Sequence, residues 1–118
     1  MKSEKINNEK KVVSRRKLDV LFNNSSIYYF NDLENYYEFE EFIKLHKTPL
    51  LTKLRKASNL YMLSDSYFLV IQNFDLEDDE HAFFCSCITE FAKFINNSKP
   101  LISKILENAI LIQKKLSQ

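Results

Sequence analysis

The sequence predicts a predominantly α-helical fold, a compact bundle of four to five helices, and three observations point there. The chain has no glycine in 118 residues, although average usage of about 7% would supply roughly eight. Glycine provides the positive-φ positions of tight hairpin turns and phosphate-cradling loops, so the connections should be polar turns between helices. Apolar residues also recur at steps of three and four over much of the chain. Good helix starters stand ahead of several of these stripes, Asn31-Asp32 and Thr48-Pro49 among them. The alternative is an α+β arrangement with one short strand pair near residues 60–74.

Residues 1–10 are almost wholly polar and read as a flexible arm, which leaves 11–118 as a single helical domain. In residues 11–22 the apolar positions Val12, Val13, Leu18, Val20, Leu21 and Phe22 have mixed spacing, a weaker helix pattern. Residues 23–26 form a polar turn cluster, and 27–30 are a short β-prone run. Asn31 or Asp32 caps the next helix, whose stripe is Leu33, Tyr36, Phe39, Ile43 and His46. Threonine as N-cap with proline behind it restarts the chain at Thr48-Pro49, giving a helix with Leu50, Leu54, Ala57 and Tyr61 on one face. Residues 67–74 combine strong β propensity with no glycine for a hairpin turn, and the balance falls toward helix. Acids at 75–80 load the start of a further helix with the stripe Phe84, Ile88, Phe91 and Ile95. Pro100 opens a last helix in which Ile102, Ile105, Ala109, Ile112 and Leu116 step as a two-heptad seam.

Composition excludes several functions. A P-loop, a dinucleotide fingerprint, an EF-hand loop and a nucleophile elbow all use glycine. An EF-hand reading from Asp75 meets Glu80 and Ser86 where Gly and Glu are required. Phe and Tyr number 16, enough apolar bulk for a core, and net charge is +1. The longest uninterrupted apolar run covers 67–71, far short of the ~20 residues of a membrane span, and no secretory signal follows the basic start. Cys85 and Cys87 make no disulfide framework. These features indicate an intracellular protein, cytoplasmic or nuclear. Heavy use of Lys, Asn, Ile, Phe and Tyr hints at an AT-rich genome, microbial or viral.

The chemistry-bearing residues give no catalytic constellation. On a helix, His81 and Cys85 share a face, but Cys87 lies about 200° round from Cys85, and only His46 remains as a fourth ligand. No metal site, cofactor or small-molecule substrate is expected, and the chain is read as a non-enzyme. Seven aromatics in residues 28–42 exceed what one amphipathic helix buries, and tyrosine suits interfaces. The leading reading is therefore a non-enzymatic protein–protein interaction module, a homodimer or the accessory subunit of a larger assembly. Its surface would use Tyr36, Tyr37, Phe42, Leu101, Leu106, Ile110 and Leu111. A second reading is a nucleic-acid-binding accessory protein that holds phosphates with Lys10, Lys11, Arg15, Arg16 and Lys17. A third is a virus- or pathogen-encoded helical inhibitor of a host protein.

Overall fold

Antiparallel strand pairing organises the chain. The computed structural model describes residues 25–95 and 99–116. In order these form β1 (Ser25–Phe30), α1 (Leu33–His46), α2 (Thr48–Ala57), β2 (Ser58–Leu63), β3 (Ser66–Gln72), α3 (Asp78–Phe91), β4 (Lys93–Ile95), α4 (Lys99–Asn108) and β5 (Ile110–Gln113). The strands make one sheet in the order β4-β1-β3-β2-β5, with every neighbouring pair antiparallel. The fold is α+β, and this corrects the predominantly helical bundle expected from the sequence. The strand pair near 60–74 is present as β2–β3, the centre of a five-stranded sheet. The expected helix at 11–22, the arm and the first half of the turn expected at 23–26 lie outside the described residues; Ser25 and Ser26 belong to β1, not to a turn.

The expectation failed on glycine. Ser64 and Asn73 adopt positive φ, 57° and 58°, and so supply the left-handed residues that glycine normally gives. Ser64-Asp65 closes the β2–β3 hairpin. A side chain there costs about 1–2 kcal/mol relative to glycine, which a sheet with a buried face can offset. Asparagine tolerates this region best among residues with a side chain, through local hydrogen bonding.

Three of the predicted helical faces are where the spacing placed them, with changes at their ends. Asp32 caps α1, its carboxylate accepting from the Asn35 amide at 2.8 Å. Tyr36, Phe39 and Ile43 are buried, whereas His46 is exposed. The N-cap of α2 is Lys47, one residue before the expected Thr48, whose hydroxyl donates back to the Lys44 carbonyl. Leu50, Leu54 and Ala57 are buried, but Tyr61 has already passed into β2. Helix α3 begins with a capping box between Glu77 and Glu80 and buries Phe84, Cys87 and Ile88; Ile95 belongs to β4. The last heptad seam breaks at Asn108. Ile102 and Ile105 are buried on α4, but Ile112 sits in β5 and Leu116 beyond it. The β-branched Ile110 and Ile112 gain more by pairing their strand with the free edge of β2 than by extending a helix.

Helices α1, α2 and α3 cover one sheet face. Their buried residues form a single cluster with Phe30 of β1, Leu60 of β2, and Leu69 and Ile71 of β3. Rings interlock inside it: Phe30 lies 5.2 Å from Tyr36 and 5.1 Å from Phe39, and Phe74 lies 5.1 Å from Phe84. Helix α4 packs on the other face. Ile102, Ile105 and Leu106 close there over Asn59, Tyr61, Val70 and Gln72, leaving a gap of only about 30 Å³, room for about one water.

Candidate protein-interaction surface

The face that carries α4 is only partly covered, and register shows what remains. Directly paired residues of neighbouring strands project to the same side. Tyr29 pairs with Phe68, Phe68 with Tyr61, and Tyr61 with Leu111. On the other side of β1, Tyr29 pairs with Lys93. One row therefore crosses all five strands, Lys93–Tyr29–Phe68–Tyr61–Leu111, a span of roughly 19 Å at sheet spacing. Tyr29, Phe68 and Tyr61 are half-buried and Leu111 is 47% exposed. The rings of Tyr29 and Phe68 lie 5.7 Å apart. Burial raises the Tyr61 phenol above its ordinary pKa, with a hydrogen bond to Asn59 opposing, so this residue stays neutral at physiological pH. One lysine, Lys93 on β4, stands at an end of the row, and a second, Lys115, lies beside its middle: with Tyr61 it lines the gap under α4, and its amide donates to Asn59 Oδ1 at 2.7 Å.

The residues chosen from the sequence are distributed over separate surfaces. Tyr36 has no accessible surface; its hydroxyl donates to Glu40 Oε2 at 2.7 Å and accepts from Gln113 Nε2 at 2.9 Å. Gln113 also donates to Glu40 at 3.0 Å, and Arg55 Nε lies 3.6 Å from the same carboxylate. Tyr36 thus ties α1 to β5 and has no ring surface to offer a partner. Tyr37 is 49% exposed on the helical side. Phe42 is half-buried there, stacked on Phe83 at 5.9 Å and against His46 at 4.3 Å. Leu101 and Leu106 are half-buried on α4, on the opposite side of the sheet. Ile110 and Leu111 are exposed on the edge strand β5. The structure brings Leu106 and Leu111 together around Tyr61 and leaves Tyr37 and Phe42 across the sheet from them. The basic set Lys10, Lys11, Arg15, Arg16 and Lys17 lies outside the described residues.

Sequence reasoning missed Tyr29, Tyr61 and Phe68. Alternation within 25–30, 58–63 and 66–72 carried the signal, but it is legible only once these segments are read as strands, because a period of two decides the face.

The remaining chemistry-bearing groups do not converge. Among the described residues, no group of three or more His, Cys, Asp or Glu side chains is placed to hold a metal ion. Cys87 is buried, which pushes its thiol up to about 11. Cys85 and His81 are exposed on α3. Two surface ion pairs, Lys53–Glu80 at 2.8 Å and Lys47–Asp79 at 3.4 Å, link α2 and the α1–α2 junction to the start of α3. Among the described residues no helix is long and apolar enough to cross a membrane.

Comparison with known proteins places this geometry. The family model "MecA: Negative regulator of genetic competence" matches residues 1–115. The crystal structure of the C-terminal domain of MecA is similar at a TM-score of 0.55 and 22% identity, over 77% of this chain and 86% of that one. The crystal structure of the C-terminal domain of YpbH is similar at a TM-score of 0.54 and 18% identity, over 77% of this chain and 87% of that one. At these identities the likeness concerns the fold, and it is to an α+β domain. No curated protein sequence matches the chain.

Proposed function

The chain belongs to the MecA family of negative regulators of genetic competence, and from that premise we propose that it is a protein-binding adaptor module that represses competence without catalysing a reaction. The observation that carries this reading is the row Tyr29–Phe68–Tyr61–Leu111 beside α4. Aromatic residues with one buried and one wet edge are what interface centres are enriched in. The lysines beside it, Lys93 and Lys115, suggest the partner's chemistry: a protein segment with apolar and acidic residues. Such charges guide encounter and register more than they add affinity. The reading of a helical inhibitor loses its premise with the α+β fold and the family match.

The finer reading, a homodimer or an accessory subunit, turns on Ile110 and Leu111, which lie on an edge strand able to pair with another chain. Mass in solution by light scattering separates a dimer from a monomer that holds a different protein.

The function is tested in a transformable bacterium whose own MecA gene has been removed. The chain should restore repression of transformation. Phe68→Glu and Leu111→Glu should each fail to restore it, and Tyr37→Glu, on the opposite face, should restore it fully. Full repression by a folded Phe68→Glu and Leu111→Glu pair would end this reading.

A further inference from the structure

We propose that the cleft between β1 and α3 is the docking site of this chain's own residues 18–22, with the apolar side chains of Leu18, Val20, Leu21 and Phe22. That segment lies outside the described residues, and the cleft does not. Its volume is about 370 Å³. Its walls include Ser26 and Tyr28 of β1, Phe74 and Leu76 from the link between β3 and α3, and Phe84 and Cys85 of α3. Tyr28, Phe74 and Leu76 are half-buried, packed against the core cluster while they line the cleft. Phe94 of β4 extends this apolar surface: it is 54% exposed, and its ring lies 5.5 Å from that of Tyr28. The hydrophobic effect favours covering such a surface.

Two observations choose the occupant. The first is where the described residues begin. Ser25 opens β1, and Ser26 is itself part of the cleft wall. Phe22 precedes Ser26 by four residues, so at no more than ~3.6 Å per residue it stays within roughly 14 Å of that wall. Val20 stays within roughly 22 Å by the same measure. An apolar run tethered so closely has an effective concentration on the order of millimolar at the cleft.

The second is charge. Asp75 and Glu77 flank Leu76 on the link, Asp78 opens α3, and all three are exposed. The next two acids, Asp79 and Glu80, pair with Lys47 and Lys53. Arg15, Arg16 and Lys17 stand immediately upstream of the apolar run. With Phe22 in the cleft, that basic triplet is within reach of the acidic rim. The rim charges then set the direction of the segment, and the apolar side chains supply the burial.

Cys85 reports the docking, because its exposed thiol lines the cleft, whereas Cys87 is buried. The experiment uses the full chain, reduced. Leu21→Ser combined with Phe22→Ser should speed alkylation of Cys85, mapped by mass spectrometry, by about tenfold or more, the factor that burial of one large apolar side chain represents. Cys87 should stay slow, and circular dichroism checks the fold. Reversing Arg15, Arg16 and Lys17 to Glu should speed Cys85 less, with a difference from the natural chain that shrinks as salt rises. Contact is read directly with Phe22→Cys, oxidised by glutathione disulfide. The introduced thiol should form a disulfide with Cys85 inside one chain, which requires Cα atoms within about 7 Å, and Ser14→Cys should form far less. Should the double serine variant unfold, this disulfide decides alone. Equal Cys85 alkylation in the natural chain and the folded double variant overturns the proposal. A disulfide that joins two chains also overturns it and gives the cleft to a second copy.

Discussion

Both faces of the sheet carry aromatic side chains, and their fates are opposite. On the helical side, Phe30, Phe39, Phe84 and Tyr36 are enclosed by α1, α2 and α3, and the one polar group among them, the Tyr36 hydroxyl, is bonded to Glu40 and Gln113. On the other side α4 covers part of the face and stops at Asn108, leaving Tyr29, Phe68, Tyr61 and Leu111 half-covered in a row. The difference teaches that aromatic density is no guide to function in this chain. Coverage separates them: closed aromatics hold the fold, and the half-covered row is the surface we propose for a partner.

The largest expected effect lies on the closed face. Phe39→Ala should destabilise the protein by about 3–5 kcal/mol, read by chemical denaturation, because Phe39 packs against Phe30, Phe84 and Phe91 at once. A loss below about 1 kcal/mol would mean that this face is not the core. Next comes the open face. Phe68→Glu should cost partner binding about 2 kcal/mol or more, as for a central interface residue, with a smaller loss of folding stability. A reversed order, stability lost and binding kept, would make the row structural.

Those two faces were unequally legible. Tyr36, Phe39 and Ile43, then Leu50, Leu54 and Ala57, then Phe84 and Ile88, were readable from helical spacing alone, because a helix is stabilised by contacts close in sequence. The sheet was not. Its pairings join β1 to β3 across some forty residues and β2 to β5 across some fifty, and no local pattern records them. Residues 110–116 fit a heptad as well as a strand, and the free edge of β2 decided between them. The absence of glycine argued against hairpins, yet Ser64 and Asn73 accept the positive φ. The row depends on strand register, so of the residues chosen from the sequence only Leu111 lies in it, with Leu106 beside it on α4.

A smaller effect sharpens the contrast through pH. Burial, first, and then the neighbouring Glu40 charge hold the Tyr36 phenol well above its ordinary value of 10.0. Its folded pKa exceeds its unfolded one, so the stability it contributes is complete below pH ~10 and falls as pH rises beyond that. Alkaline denaturation should be steeper in the natural chain than in Tyr36→Phe, which cannot ionise. Identical profiles would mean that this ring is less enclosed than described. The smallest change concerns the hairpin. Ser64→Gly should stabilise the fold by about 1 kcal/mol, the relief of positive φ less the entropy glycine loses on folding, and leave binding untouched.

The most direct test compares the faces in one experiment: immobilised natural chain, Phe68→Glu and Tyr37→Glu, each challenged with extract from competent cells and the retained proteins quantified side by side. A protein held by the natural chain and by Tyr37→Glu, and lost from folded Phe68→Glu, is the predicted result. Retention by Phe68→Glu, with loss from Tyr37→Glu, would move the interaction surface to the helices and contradict the account.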